Sequence, residues 1–295
     1  LDLSTNDSLV TLYLEGNDLT SIDVTDKPNL AYLRAHGNGL TSIDVSNNPL
    51  LTYLNFNSND LTTLDVSNNP LLTELHVSSN GLTTMDVSSN DSLTHLYLES
   101  NSLASITGLS NNTSLTYLRL KYNELTSLDL SGCTSLRDPS VYGNNLSSLD
   151  LTGCTEMIQL SAQSNELTTL DLSTNDSLVT LTLENNDLTS IDVTDKPNLT
   201  YLRAYNNALT SIDISNNTLL TYLHLDNTDL TSLDVSNNTL LTNLYLNNND
   251  LTTMDVSSND SLTHLSLESN SLASITGLSN NTSLVYLRLK NNELT

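Results

Sequence analysis

Apolar residues return along this chain at a fixed step. A leucine opens each segment at Leu19, Leu40, Leu61, Leu82, Leu103, Leu125, Leu146, Leu167, Leu188, Leu209, Leu230, Leu251 and Leu272, after a partial segment from Leu1. The step is 21 residues, and 22 where SITGLSNN replaces SIDVSNN in the segments opened by Leu103 and Leu272. Such a period marks a solenoid, whose coils bury their apolar sides against one another. Within each segment apolar and polar residues alternate twice, as in Leu51–Asn59 (LTYLNFNSN) and again in Leu61–Val66 (LTTLDV). A period of two predicts half-buried strands. The NNP, NND and NNT links between them are turn chemistry. No stretch keeps a 3.6-residue period long enough for a helix. The expectation is a β-rich repeat solenoid of about fourteen 21–22-residue coils with little or no helix. It has a parallel β-sheet on one side and a second short strand or extended segment on the other.

A second order lies above the first. Residues 1–126 align without a gap to 170–295, so a block of eight coils is duplicated. Residues 1–295 thus read as a single solenoid, and the part present once, near Ser127 to Thr169, holds the irregular coils. Leu1 begins inside a repeat and Thr295 ends as another opens, which reads as a segment of a longer protein with its caps and targeting signals elsewhere.

The LxxLxLxxN pattern, followed by an LxxLDL half, resembles the leucine-rich-repeat family over the whole chain. The 21-residue coils look like the irregular bacterial class of these repeats, and the 22-residue coils are similar to internalin-type repeats. The resemblance implies a right-handed coil whose parallel sheet faces the ligand, in proteins that mostly bind other molecules. The Asn closing the pattern recurs from Asn17 to Asn292, broken only by Thr228. It reads as a buried stack whose amides bond to neighbouring turns.

Variation between repeats locates the candidate binding face. Three outward columns begin at Thr11, Tyr13 and Glu15, and hold all five His, four of five Arg and eleven of twelve Tyr. The two copies differ at 24 of 126 positions, 13 of them in these columns and the one beside them. The candidate ligand-binding residues are Tyr13, Tyr32, Arg34, His36, Tyr53, His76, His95, Tyr97, Tyr117, Arg119, Tyr201, Arg203, Tyr205, Tyr222, His224 and Tyr245. Tyr, Arg and Asn on a rigid sheet make good contact surfaces. Cross-strand pairing alone would also account for them. Glu99 with Lys121, and Glu268 with Lys290, read as ion pairs between neighbouring coils.

Charge narrows the partners. Nine Lys plus Arg against 34 Asp plus Glu give a net charge of −25, which argues against nucleic acid. No apolar run suits a membrane span. On the second strand an Asp points outward in twelve coils, from Asp2 to Asp255. Flanking hydroxyls could stabilise that row, some of its members could stay protonated, or cations could bind it. Asp23, Asp44 and Asp65 are the weak calcium candidates, although one carboxylate per coil is not a dedicated cage. Regular Thr and Ser also leave an ice-binding array open. Cys133 and Cys154 occupy matching places in adjacent coils and suit either a disulfide or two buried thiols. Pro139 replaces an inner Leu and predicts a local defect in the sheet.

No HExxH, CxxC or glycine-rich phosphate loop is present, and a repeat sheet offers no deep, dry pocket. The function expected is therefore non-enzymatic and without a resident cofactor. It is recognition of a protein or glycan at an extracellular or cell-surface location, in a secreted or adhesion protein. The alternative is an acidic structural spacer or fibre element, stiffened by calcium.

Overall fold

The computed structural model describes all 295 residues, which form two compact units, Leu1–Glu156 and Met157–Thr295. In the first unit, seven three-residue strands stack in parallel, one per coil: Thr11–Tyr13, Tyr32–Arg34, Tyr53–Asn55, Glu74–His76, His95–Tyr97, Tyr117–Arg119 and Asp138–Ser140. In the second, Gln159–Ser161, Thr180–Thr182, Tyr201–Arg203, Tyr222–His224, Asn243–Tyr245, His264–Ser266 and Tyr286–Arg288 do the same. Registers are exact in repeat units, as in Tyr32↔Tyr53 and Leu33↔Leu54. The central residue of the strands, Leu except at Pro139, is buried in all but the last, where Leu287 is 47% exposed. Leu33, Leu54, Leu75, Leu181, Leu202 and Leu223 are fully buried, as are Leu40, Leu61, Leu82 and Leu51 from the rest of the coil. The sequence period is thus the period of the core.

Beside the sheet, each coil turns through a residue with positive φ. Gly, Ser or Asn fills this place in every coil but one, where Tyr122 has φ of 58°. The following Asn, the last of LxxLxLxxN, faces inward and ties coils together. Asn59 Nδ2 donates to Ala35 O (3.0 Å) in the preceding coil and to Phe56 O (3.0 Å) in its own. Its Oδ1 accepts from Leu40 N at 3.0 Å. This is the buried amide stack the repeat predicts, since a turn carbonyl removed from water needs a donor.

A second inward ladder runs through the NNP, NND and NNT links, which the sequence marks only as turns. Asn69 Nδ2 donates to Val45 O (3.0 Å) and Asn48 O (2.9 Å), and Asn90 repeats this one coil on. Lys27 and Lys196 stand in the same column, 1% and 2% exposed, and send their ammonium groups out to Asp7 (3.8 Å) and Asp176 (3.2 Å). The stems lie in the core, and the buried ammonium ends are met by an exposed carboxylate and by the carbonyls of Asp26 and Asp195.

The opposite side departs from two strands per coil. Strand pairing forms there only between Thr84–Asp86 and Ser105–Thr107, Ser127–Asp129 and Ser148–Asp150, and Thr253–Asp255 and Ser274–Thr276. Two of these pairs involve the 22-residue coils and the third joins the two Gly-Cys coils. Elsewhere the segment is extended and tied to its neighbour at entry, as by Asp60 N to Leu40 O at 2.9 Å. Its outward groups are exposed, so water can satisfy them. The only helical turn is the 3₁₀ segment Leu109–Asn111 of a longer coil. Gly108 precedes it at φ 84°, where a Cβ would meet Ser88 N at 2.3 Å.

Pro139 causes no break in pairing with the strand before it. It is buried and in register with Leu118. Inward residues of these strands donate toward the following coil, as Leu14 N does to Arg34 O at 2.7 Å. The N–H that proline lacks is therefore not one that faces Tyr117–Arg119. The expected defect does not form on that side.

Candidate ligand-binding face

Parallel strands about 4.8 Å apart hold matching side chains at ring-stacking distance. In the first unit this turns the columns into a run of aromatic rings. Tyr13 lies 5.5 Å from Tyr32, which stacks on Tyr53 at 4.1 Å with planes 9° apart. Tyr53 meets His76 at 5.2 Å, and His76 stacks on Tyr97 at 4.5 Å. His95 continues the run, 6.2 Å from Tyr97 and stacked on Tyr117 at 4.8 Å. The Arg34 guanidinium sits 5.8 Å from the centroid of Tyr13, within cation–π range. His36 stands half-buried in the third column, outside this run.

The second unit repeats the arrangement with different residues. Tyr201 stacks on Tyr222 at 4.4 Å, and Tyr222 lies 5.7 Å from Tyr245. His224 fits between Tyr205 (4.5 Å) and Tyr245 (5.1 Å). Arg203 lies 5.2 Å from the Tyr205 ring and donates to its hydroxyl and to buried Glu184, both at 3.1 Å.

The charges on this side are matched. Lys121 pairs with Glu99 at 3.1 Å, and Lys290 with Glu268 at 3.7 Å, the two neighbour-coil pairs the sequence predicts. Arg119 binds the carboxylate of Asp138, and Arg288 that of Glu268. His76 Nε2 lies 3.2 Å from Glu74, yet burial between rings pushes its pKa down and favours the neutral imidazole. The first unit's three columns carry Glu15, Glu74, Glu99 and Asp138 against Arg34, Arg119 and Lys121. The second unit's carry Glu184, Asp226 and Glu268 against Arg203, Arg288 and Lys290. The other 27 acidic residues have only three Lys or Arg among them. Each sheet is thus a near-neutral aromatic surface on an otherwise strongly acidic molecule.

The aspartate row settles into a local motif. Asp44 Oδ1 accepts from Ser46 N (2.9 Å), and Asp23 from Thr25 N (3.0 Å) and Thr25 Oγ1 (2.7 Å). These hydrogen bonds hold the carboxylates of Asp23, Asp44 and Asp65 below the ordinary aspartate range. They are therefore ionised, not protonated. No three His, Cys, Asp or Glu side chains gather where they could hold a metal ion.

Cys133 and Cys154 are buried, are not in a disulfide, and occupy the inner Asn column. Their thiols donate to Leu109 O and Leu130 O, both at 3.2 Å, much as Asn69 donates to Val45 O. Sequence reasoning left Tyr122, Tyr142, Tyr286 and His264 out of the site, although His264 stacks on Tyr286 at 5.8 Å. Tyr122, 53% exposed and in the left-handed region, packs edge-on against Tyr142 at 4.8 Å with their hydroxyls 2.8 Å apart. Tyr142 lies in the third column, and that signal was available.

Neither a protein-family model nor a curated protein sequence matches the chain. Solved structures do. The functional domain of InlJ from Listeria monocytogenes, which includes a cysteine ladder, is 38% identical with a TM-score of 0.88 over 95% of this chain. The chain spans 62% of that domain's length. An internalin, InlF, from the same organism is 25% identical over 94% of this chain and 86% of its own, with a TM-score of 0.79. YopM, a leucine-rich effector protein from Yersinia pestis, is 26% identical over 98% of this chain and 79% of its own, with a TM-score of 0.76. No helix of the chain is long and apolar enough to cross a membrane. Coil period, amide ladder, one-sided sheet and these likenesses agree: the chain is built as a leucine-rich-repeat solenoid.

Proposed function

We propose that this chain is an extracellular recognition module, of the adhesion type, that binds a protein or a glycan through the outward Tyr, His, Arg and Asn columns of its sheet. The observation that carries this reading is the run of stacked rings from Tyr13 to Tyr117 on a charge-matched face of a chain with net charge −25. Aromatic side chains fixed by stacking lose little conformational freedom on binding. The acidic remainder repels other acidic surfaces, so a neutral or acidic partner meets least opposition at the sheet. The likeness to internalins supports a binding module over an enzyme, and no cofactor is needed for this role.

The test is a pull-down from cell-surface and glycan extracts, in calcium and in chelator. Wild type is compared with Tyr13→Glu/Arg34→Glu and with an Asp44→Asn control on the opposite side. A partner kept by wild type and the control but lost by the double variant is the expected result. A partner kept equally by all three would remove the first unit's run of rings from the reading. No partner at all, with a calcium-dependent melting temperature, would favour an acidic spacer.

A further inference from the structure

The fourth column, beside the three already described, separates the two units. Gly16, Gly37, Ser58, Ser79 and Tyr122 in the first copy become Asn185, Asn206, Asn227, Asn248 and Asn291 in the second, and only Ser100 is retained, as Ser269. Five of six aligned positions have changed, each to the same residue. All four Asn from Asn185 to Asn248 are exposed and take positive φ between 52° and 57° except Asn227 at 51°. Asn tolerates that conformation better than Ser, which alone would favour it here.

The side chains do more than tolerate the turn. Asn206 Nδ2 donates to Asn185 Oδ1 at 2.6 Å, Asn227 to Asn206 at 2.6 Å, and Asn248 to Asn227 at 2.7 Å. An amide has two N–H donors and an oxygen that accepts twice. Along this chain of bonds each inner amide spends one donor and one acceptor and keeps one of each. The strip therefore presents a donor and an acceptor once per coil, and bonding in series polarises each amide further. Its inner border holds Tyr205, half-buried, and Asn247, whose amide is fixed by Asp226 at 2.8 Å.

From this we infer that the second unit takes a neutral, hydroxyl-rich polymer, a polysaccharide, laid along the amide strip and against Tyr205. A hydroxyl group both donates and accepts, so it can use the two capacities that each amide keeps. An extended peptide fits less well, because groups on one side recur about every 6.6 Å while coils step by about 4.8 Å. Anionic polymers are opposed by the charge of the chain. The inference rests on reading the sheet side as the binding side, and it names a ligand class for one unit.

The first copy supplies a variant already compatible with the fold: Asn185→Gly/Asn206→Gly/Asn227→Ser/Asn248→Ser. A second, Asn206→Asp/Asn227→Asp, keeps side-chain volume and removes the donors. The full chain is run by affinity electrophoresis through dextran, mannan, glycogen or mixed-linkage β-glucan, with polygalacturonate as the anionic probe. Wild type should be retarded by at least one neutral polymer, and both variants should bind it about tenfold more weakly or worse. The Asp44→Asn variant, on the opposite side of the coil, should be retarded like wild type, and the partner of the first unit's rings is read separately in the pull-down, so the two readings can fail independently. Retardation by none of the neutral polymers, equal retardation of wild type and both variants, or preference for polygalacturonate would each overturn the inference.

Discussion

Tyr32 and Tyr53 lie face to face with centroids 4.1 Å apart, at matching positions of strands in adjacent coils. The pair is part of the proposed binding face and also part of the fold. Stacked rings of this kind contribute about 0.5–1.5 kcal/mol beyond their buried area. A double-mutant cycle with Tyr32→Ser and Tyr53→Ser should show a coupling energy of that size in urea unfolding. Additive effects would mean that the rings are held by their strands and not by each other. Binding tests on this face are cleaner at Tyr13, which is 56% exposed and stands at the end of the run.

Thr228 marks the one gap in the outer amide ladder. Its hydroxyl donates toward Leu225 O (3.1 Å) or Asn249 Oδ1 (2.6 Å), and one hydroxyl proton can serve only one of them. The Asn residues elsewhere supply two donors and accept from a backbone N–H, as Asn207 does from Leu188 N at 3.0 Å. Thr228→Asn should therefore stabilise the second unit by about 1 kcal/mol, one net hydrogen bond. Asn59→Ala should cost about 2–4 kcal/mol, because Leu40 N and two carbonyls lose their partner in a buried place. Thermal and urea unfolding of both variants would check the two signs together.

The period, the inward leucines, the outer Asn ladder and the outward columns were legible because each coil repeats the same physical problem. Thirteen solutions to one problem expose what is required, as at Leu54, and what is free, as at Asn55. The rest depended on geometry within a coil. Asn69 reads as a turn residue, and nothing in SNNP tells which of the two amides points inward. Pro139 reads as a defect until the direction of its missing N–H is known. The strand at Thr84–Asp86 and the extended segment at Thr63–Asp65 have nearly the same sequence, TMD and TLD, and differ in the coil that follows them.

The aspartate row fixes the direction of the pH response. Hydrogen bonds from residue i+2 lower the folded pKa values of Asp44, Asp65, Asp213 and Asp234 below the ordinary value that the unfolded chain returns to. Lowered carboxylates contribute stability that is complete above the unfolded value and is lost as pH falls through the folded values. The melting temperature should then be flat from neutrality down to the ordinary aspartate range and drop below it. Repulsion between neighbouring carboxylates opposes this, so added salt should raise the melting temperature at neutral pH. Asp44→Asn combined with Asp65→Asn should shorten the acid drop. A melting temperature that rises on acidification would mean that repulsion outweighs the hydrogen bonds.

Cys133 and Cys154 yield the sharpest chemical prediction. Burial pushes the Cys133 thiol up to about 12 and the Cys154 thiol up to about 11, with neighbouring Asp129 adding to both. The thiolate is the reactive form, and at pH 8 each group holds almost none of it. A maleimide or iodoacetamide reagent should therefore leave the native chain unlabelled and label two thiols once the chain is unfolded. Replacing both by Asn, the residue that the column carries at Asn69 and Asn90, should keep the coil because the amide can donate where the thiol does. If unfolding without reductant exposes no thiols, the pair is a disulfide and the column is cross-linked there. If the native chain labels readily, the Gly-Cys coils open to solvent, and the first unit is least stable at those turns.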